Sequence, residues 1–263
     1  PHGPVDADLT FIVRPTNGSN AFVTEGPEGP EGDSISDTKT LRVPVDDVRG
    51  QENRFNLDTH AFQSLQGVPS KATYEMFDSP DEIRQVYYPE VEDLLLNYVP
   101  GAQRVKILGH RVRKESSDDH PQPILFVHCD HTLQAADIFA KQHTDSEKEL
   151  PQRRWCIINV WRSIRGVVQT TPMAFASAAS LSSDDLFPIE IRSVGGLDWF
   201  TGIKYNPTQQ WFYWSGMDIN ERLLLKCSDT KPDVGKQAFH SAFFDPRVSK
   251  DAKPRESIEV RTL

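Results

Sequence analysis

The chain has 263 residues, a hydrophobic fraction of 37% and a net charge of −9 at pH 7, enough apolar material for one large β-rich domain or two small ones, which excludes global disorder. No basic run is longer than Arg113-Lys114 or Arg153-Arg154, so a phosphate backbone is repelled and no nucleic-acid partner is expected. Three cysteines without C-x-x-C spacing, no apolar run of roughly 18 residues and no signal-peptide pattern at the start point to a cytoplasmic protein without membrane contact, monomeric or homodimeric.

Along the chain, residues 9–14 read as an edge strand, and Asn17-Gly18-Ser19 reads as a turn rather than a glycosylation site. Residues 24–40 are Gly, Pro and acid with little to bury, the composition of a mobile surface loop, and residues 39–44 read as a second edge strand. Ser79-Pro80-Asp81-Glu82 has the residue order of a helix N-terminus, with Val86, Val91, Leu94 and Leu95 continuing the helix toward residue 98. From about residue 104 the pattern changes to short β-rich runs at 105–108, 124–128, 155–162, 189–192, 211–214, 223–227 and 257–261, with helix and polar loop at 133–150. Seven or eight such strands with flanking helices predict a mainly β protein, a double-stranded β-helix of the jelly-roll, cupin-like kind. The division expected is residues 1–47, N-terminal strands and acidic loop, followed by a jelly-roll domain over 48–263, one domain overall.

A His-x-acid triplet occurs twice, and with 8 His and 38 acids chance alone supplies about one. His143-Thr144-Asp145 lies in a polar stretch, the setting of a solvated coincidence. His128-Cys129-Asp130 ends the apolar strand, where side chains two residues apart point the same way and can approach one metal while Cys129 faces elsewhere. A core histidine hydrogen-bonded to its own aspartate is the plain alternative for this pair. For a third ligand the candidates are His60, His110, His120, His131 and His240; His131 points off the shared face, and His240 is preferred because an Arg-x-Ser stands downstream of it. Two imidazoles and one carboxylate hold one face of an octahedral Fe(II) and leave the other open for a keto acid and O₂. Fifteen residues after His240, Arg255 and Ser257 share a strand face, where a guanidinium fork and a hydroxyl can hold the far carboxylate of 2-oxoglutarate. A surface ion pair of Arg255 with Glu256 or Glu259 is the competing reading.

The segments Val127-His-Cys-Asp130, Asn159-Val-Trp-Arg162, Lys226-Cys-Ser-Asp-Thr230, His240-Ser-Ala-Phe243 and Pro254 to Arg261 resemble the fungal AsaB-type hydroxylase/desaturase family, which is similar to one subunit of the bacterial cephem methoxylase. The resemblance runs from about residue 48 to the end. It implies non-haem Fe(II) held by His128, Asp130 and His240, and 2-oxoglutarate held by Arg255 and Ser257. It also implies hydroxylation, desaturation or oxidative cyclisation, such as aziridine formation, at a C–H bond of a small secondary-metabolite or amino-acid-derived substrate. The chain departs from the family pattern at Ser163-Ile164 and Ser177-Ala178, both expected near substrate. Asn159 and Trp161 share one strand face and are candidates to line the substrate pocket; Arg162, on the other face, could anchor a substrate carboxylate or pair with a structural acid. The strand 211–214 is expected to be core on one side and pocket rim on the other, and Lys226 is open between the same two roles. Two rival readings are a cosubstrate-free non-haem iron oxidase and a metal-free cupin-like binding or partner subunit.

Overall fold

The computed structural model describes residues 1–25, 35–117, 119–144, 153–193 and 196–263. Among them run the strands β1 (Val5–Ile12), β2 (Ala21–Glu25), β3 (Thr38–Asp47), β4 (Phe62–Leu65), β5 (Ile107–Lys114), β6 (Phe126–Val127) and β7 (Cys156–Ser163), followed by β8 (Met173–Ala176), β9 (Leu186–Ser193), β10 (Gly196–Ile203), β11 (Trp211–Tyr213), β12 (Arg222–Asp229), β13 (His240–Ala242) and β14 (Glu256–Thr262). The helices are α1 (Leu57–His60), α2 (Pro80–Glu82), α3 (Tyr88–Tyr98) and α4 (Leu133–Gln142), with a π-helical turn at Ile83–Tyr87 joining α2 to α3. Ser79 caps α2 through its hydroxyl, which accepts from the Glu82 amide at 3.3 Å with Pro80 in the first position, and Thr132 caps α4 in the same way through the Ala135 amide at 3.0 Å.

These strands make three sheets, in the orders β13-β8-β11-β3-β1-β6, β10-β9-β2 and β4-β12-β7-β14-β5. Period-two alternation drives β1: Val5, Ala7, Leu9 and Phe11 enter the core while Asp6 and Asp8 stay in water. In the five-stranded sheet both faces are covered. Its outer face carries Ile158, Val160, Leu224, Ile258 and Val260 against Tyr87, Val91, Leu94 and Leu95 of the helical layer. Its inner face looks across the molecule at the other two sheets, and the result is a jelly roll flanked by helices.

The six-stranded sheet nearly closes on itself. β6 leaves its parallel pairing with β1 and continues into His128, which forms a two-way backbone bridge with His240 on β13, N–H to carbonyl at 3.1 and 2.9 Å. One residue later Cys129 makes the same exchange with Thr201 of β10 at 2.9 Å in both directions. The segment 128–130 is therefore a seam between two sheets, with its alternate side chains aimed at opposite sides.

Several expectations need correction. β1 and β3 are internal to the six-stranded sheet rather than edge strands, while β2 forms an edge of the three-stranded sheet. β2 takes Thr24 and Glu25 from the expected acidic loop, and most of that loop, residues 26–34, lies outside the described residues, as do residues 145–152 with Asp145. The strand 211–214 has core on both faces: Trp211 and Tyr213 pack with β1 and β3, Phe212 and Trp214 with Phe55 and Leu223. Lys226 is buried against Asp229, 2.6 Å away, in a structural ion pair.

Candidate active site

Sheet pairing explains why His128, Asp130 and His240 converge. The bridge between strands sets the two imidazoles side by side, with ring centroids 4.5 Å apart, and strand alternation returns Asp130 to the same side while Cys129 turns into the core. One ligand atom from each of the three lies within 4.8 Å of the others, and all three residues are buried. Of the remaining candidates, His131 has φ of +83° and stacks its ring on Phe139, centroids 5.1 Å apart, while His60, His110 and His120 belong to other surroundings. His143 packs on Phe139 with its Nδ1 at the Phe139 carbonyl.

The tautomers are set by the partners. Nδ1 of His128 lies 2.9 Å from the Phe126 carbonyl and Nδ1 of His240 lies 2.9 Å from the Ala238 carbonyl. A carbonyl only accepts, so each Nδ1 carries a proton, and the nitrogen left to coordinate a metal in the neutral ring is Nε2. Backbone tethering of the second ring nitrogen is how metal-binding histidines are usually oriented. Burial, together with the neighbouring His128, pushes His240 down to about 4, so its ring is neutral and ready to coordinate at physiological pH. Burial would raise the Asp130 carboxyl, but the Arg261 guanidinium and the His128 ring outweigh it and hold Asp130 well below the ordinary carboxylate range. His128 Nε2 stands 3.4 Å from Asp130 Oδ1, close to the about 3 Å expected of two cis ligands with bonds near 2.1 Å. The donor set fits Fe(II): two imidazole rings, each tied back to a carbonyl through Nδ1, and one ionised carboxylate on one side of a common point.

The triad opens onto a cavity of about 190 Å³. Its walls come from β5 (Arg111, Arg113), β14 and the residue before it (Arg255, Glu259, Arg261), β9 and β10 (Ile191, Ser193, Asp198, Phe200), together with Trp161, Met173, Ile124 and Ala242. Phe200 stacks on His128, centroids 5.1 Å apart at 18°. Arg255 is 3% exposed; its guanidinium lies over the Trp161 ring, 5.5 Å from the centroid, and Nη1 donates to the Thr171 carbonyl at 2.7 Å. Its Nε has no protein partner, so the fork retains donors for a ligand. Burial, with the charge of Arg113 behind it, pushes Arg255 down to about 10, which leaves it charged at neutral pH. Burial and the nearby Asp130 raise the Glu259 carboxyl.

The other expected site residues divide. Trp161 lines the cavity. Ser257 lies on the Arg255 face of β14 by alternation, buried and paired in register with Arg113 and Ser163, but is not a wall residue. Asn159 is fully buried and donates to Asp130 Oδ2 at 2.6 Å. Arg162 does not reach the cavity: it faces the helical layer, 5.4 Å from the ring centroids of both Phe77 and Tyr87, with Nε donating to the Ser163 carbonyl. Ser163-Ile164 and Ser177-Ala178 do not line the cavity either. Sequence reasoning missed Arg111, Arg113, Glu259 and Arg261. The period-two face shared by Arg255, Ser257, Glu259 and Arg261 was the available signal for the last two.

Three comparisons bear on this arrangement. A family model described as an oxidoreductase/YMDC permease-like domain matches residues 9–263, so the similarity begins at the first strand and not near residue 48. The hydroxylase/desaturase poxK of Penicillium oxalicum is 30% identical over 100% of this chain and 91% of its own length, and the hydroxylase/desaturase asaB of Aspergillus flavus is 37% identical over 84% and 78%. A solved structure of the iron and alpha-ketoglutarate-dependent endoperoxidase NvfI superposes with a TM-score of 0.88 at 28% identity, covering 100% of this chain and 98% of that one. Among the described residues, no helix is long and apolar enough to cross a membrane.

Proposed function

The chain belongs to the fungal hydroxylase/desaturase family of Fe(II)/2-oxoglutarate-dependent dioxygenases, and from that premise we propose that His128, Asp130 and His240 hold its iron and that Arg255 binds its 2-oxoglutarate. The observation that carries the metal assignment is the convergence of three ligand atoms within 4.8 Å, with each histidine tethered at Nδ1 so that Nε2 is bare. When bound, Fe(II) and 2-oxoglutarate activate O₂ while the keto acid is decarboxylated to succinate.

The protein's own residues supply position and dryness. The buried Arg255 fork, backed by Trp161, suits a carboxylate, because a planar guanidinium makes two parallel hydrogen bonds in a site where water does not compete. Ser257, on the same strand face, adds a hydroxyl only if its side chain turns toward the ligand. Phe200, Ile191, Met173 and Trp161 form the apolar part of the wall, suited to holding a C–H bond beside the metal and excluding water from it. The substrate in this reading is a small secondary-metabolite or amino-acid-derived molecule that undergoes hydroxylation, desaturation or oxidative cyclisation. The enzyme works in the cytoplasm as a monomer or homodimer.

The test is anaerobic reconstitution with Fe(II), followed by metal analysis and assay of succinate formation coupled to O₂ uptake. Wild type and His143→Ala retain about one iron per chain, while His128→Ala loses it. Retention of iron by His128→Ala and its loss from His143→Ala would overturn the choice of triplet. O₂ uptake without succinate would indicate a cosubstrate-free oxidase, and wild type that takes up no iron would indicate a binding module.

A further inference from the structure

We infer that Asn159 and Arg261 form a clamp on Asp130 that fixes which of its two oxygens faces the metal, an inference that rests on Asp130 being a ligand. In the antiparallel register of β14 on β7, Arg261 stands directly opposite Asn159, so both side chains leave the sheet on the cavity face as neighbours. Asn159 Nδ2 donates to Asp130 Oδ2 at 2.6 Å, and Arg261 Nη2 donates to the same oxygen at 3.0 Å. The other oxygen, Oδ1, is the one turned toward His128 Nε2. The amide orientation of Asn159 is dictated by chemistry, since a carboxylate oxygen accepts and only the NH₂ end can give.

A carboxylate oxygen offers two in-plane lone pairs, and two donors occupy both on Oδ2. Chelation of a metal through both oxygens would force out at least one of these bonds and leave either the fully buried Asn159 amide unpaired, which is costly, or the half-buried Arg261 guanidinium without its carboxylate. Asp130 is thereby held as a one-oxygen ligand through Oδ1. An octahedral ion with two imidazoles and one carboxylate oxygen keeps three adjacent positions, enough for the two donor atoms of a keto acid plus one more; a chelating Asp130 would leave only two. Arg261 is also set by the backbone. Its partner on β5 is Gly109, at φ of +155°, and a bulge separates the Arg261 and Thr262 pairings. Bulges re-aim side chains, and at this φ a glycine is needed. Asn159 and Arg261 are therefore positioning residues that act through Asp130.

The experiment uses Co(II) as the metal probe on the whole protein, titrated by its visible absorption, with the melting temperature of the metal-free protein measured alongside. Asn159→Leu, which keeps the branched shape and removes the donor, and Arg261→Met each raise the Co(II) dissociation constant roughly 10- to 100-fold and change the Co(II) spectrum. Arg261→Lys, which keeps a charged donor, recovers most of the affinity. Wild-type affinity and spectrum in both variants would overturn the clamp, as would a lowered melting temperature with no change in Co(II) binding. Should Asn159→Leu fail to fold, Arg261→Met and its lysine rescue decide. Asp130→Ala distinguishes ligand from clamp: wild-type Co(II) binding by that variant would overturn the ligand assignment itself, whereas lost binding there with unaltered clamp variants would overturn the clamp alone.

Discussion

Arg162 and Arg255 lie on opposite faces of the five-stranded sheet, 2% and 3% exposed, each beside aromatic rings and each with a guanidinium nitrogen that has no protein partner. Burial lowers both. Only Arg255 opens onto a cavity; Arg162 is closed in by Phe77 and Tyr87 of the helical layer. A buried arginine against an aromatic ring is therefore not by itself a binding site. What distinguishes the faces is what lies opposite: the outer face meets Val91, Leu94 and Leu95, while the inner face meets His128, Asp130 and His240, the proposed metal ligands, across a space. The same strands serve both, because β7 and β14 alternate Ile158 and Val160, Ile258 and Val260 outward with Asn159 and Trp161, Glu259 and Arg261 inward.

The comparison is most sharply tested by substitutions that should affect one face and spare the other. On the inner face Asp130→Ala abolishes iron binding, measured by metal analysis of the folded protein after anaerobic reconstitution. On the outer face Leu224→Ala costs about 2–5 kcal/mol in denaturant unfolding by removing a fully buried side chain, yet the folded protein still takes up iron. Arg255→Gln weakens 2-oxoglutarate binding by about 2–4 kcal/mol, or roughly 30- to 1000-fold, because a charge-assisted pair is lost in a buried site; Arg255→Lys restores little, since a point charge cannot reproduce the fork. Arg162→Met leaves cosubstrate affinity unchanged and alters stability by about 1 kcal/mol or raises it, as expected when a buried charge gives way to a well-packed apolar chain. Ser257→Ala is the smallest, at most about 1 kcal/mol in cosubstrate binding for one neutral hydrogen bond.

Much of this was legible in the chain. The apolar runs at 155–162, 223–227 and 257–261 carry enough β-branched and aliphatic residues to declare strands, and the Ser-Pro-Asp-Glu start of α2 declares its cap. The jelly roll followed from their number. The short strands did not declare themselves: β13 is only His-Ser-Ala, and β10 contains two glycines and an aspartate, so both depend on pairing partners far away in sequence. The convergence of His128 with His240 rests on a backbone bridge between residues 112 apart, which spacing suggests only through the downstream Arg255 and Ser257. Arg162 shows the limit from the other side. Its position next to Trp161 made it a substrate candidate, but alternation sends it to the helical face, and nothing local tells which face of a doubly buried strand holds a cavity. Asn159 differs again: the correct face was readable, but its partner, Asp130, was not.

The most direct test of the account is titration of the anaerobic Fe(II) protein with 2-oxoglutarate, followed by the metal-to-ligand charge-transfer absorbance. Wild type gives a saturable band, Arg162→Met titrates in the same way, and Arg255→Gln shifts roughly 30- to 1000-fold toward higher concentration. Wild type without such a band, or Arg255→Gln titrating like wild type, would contradict that account.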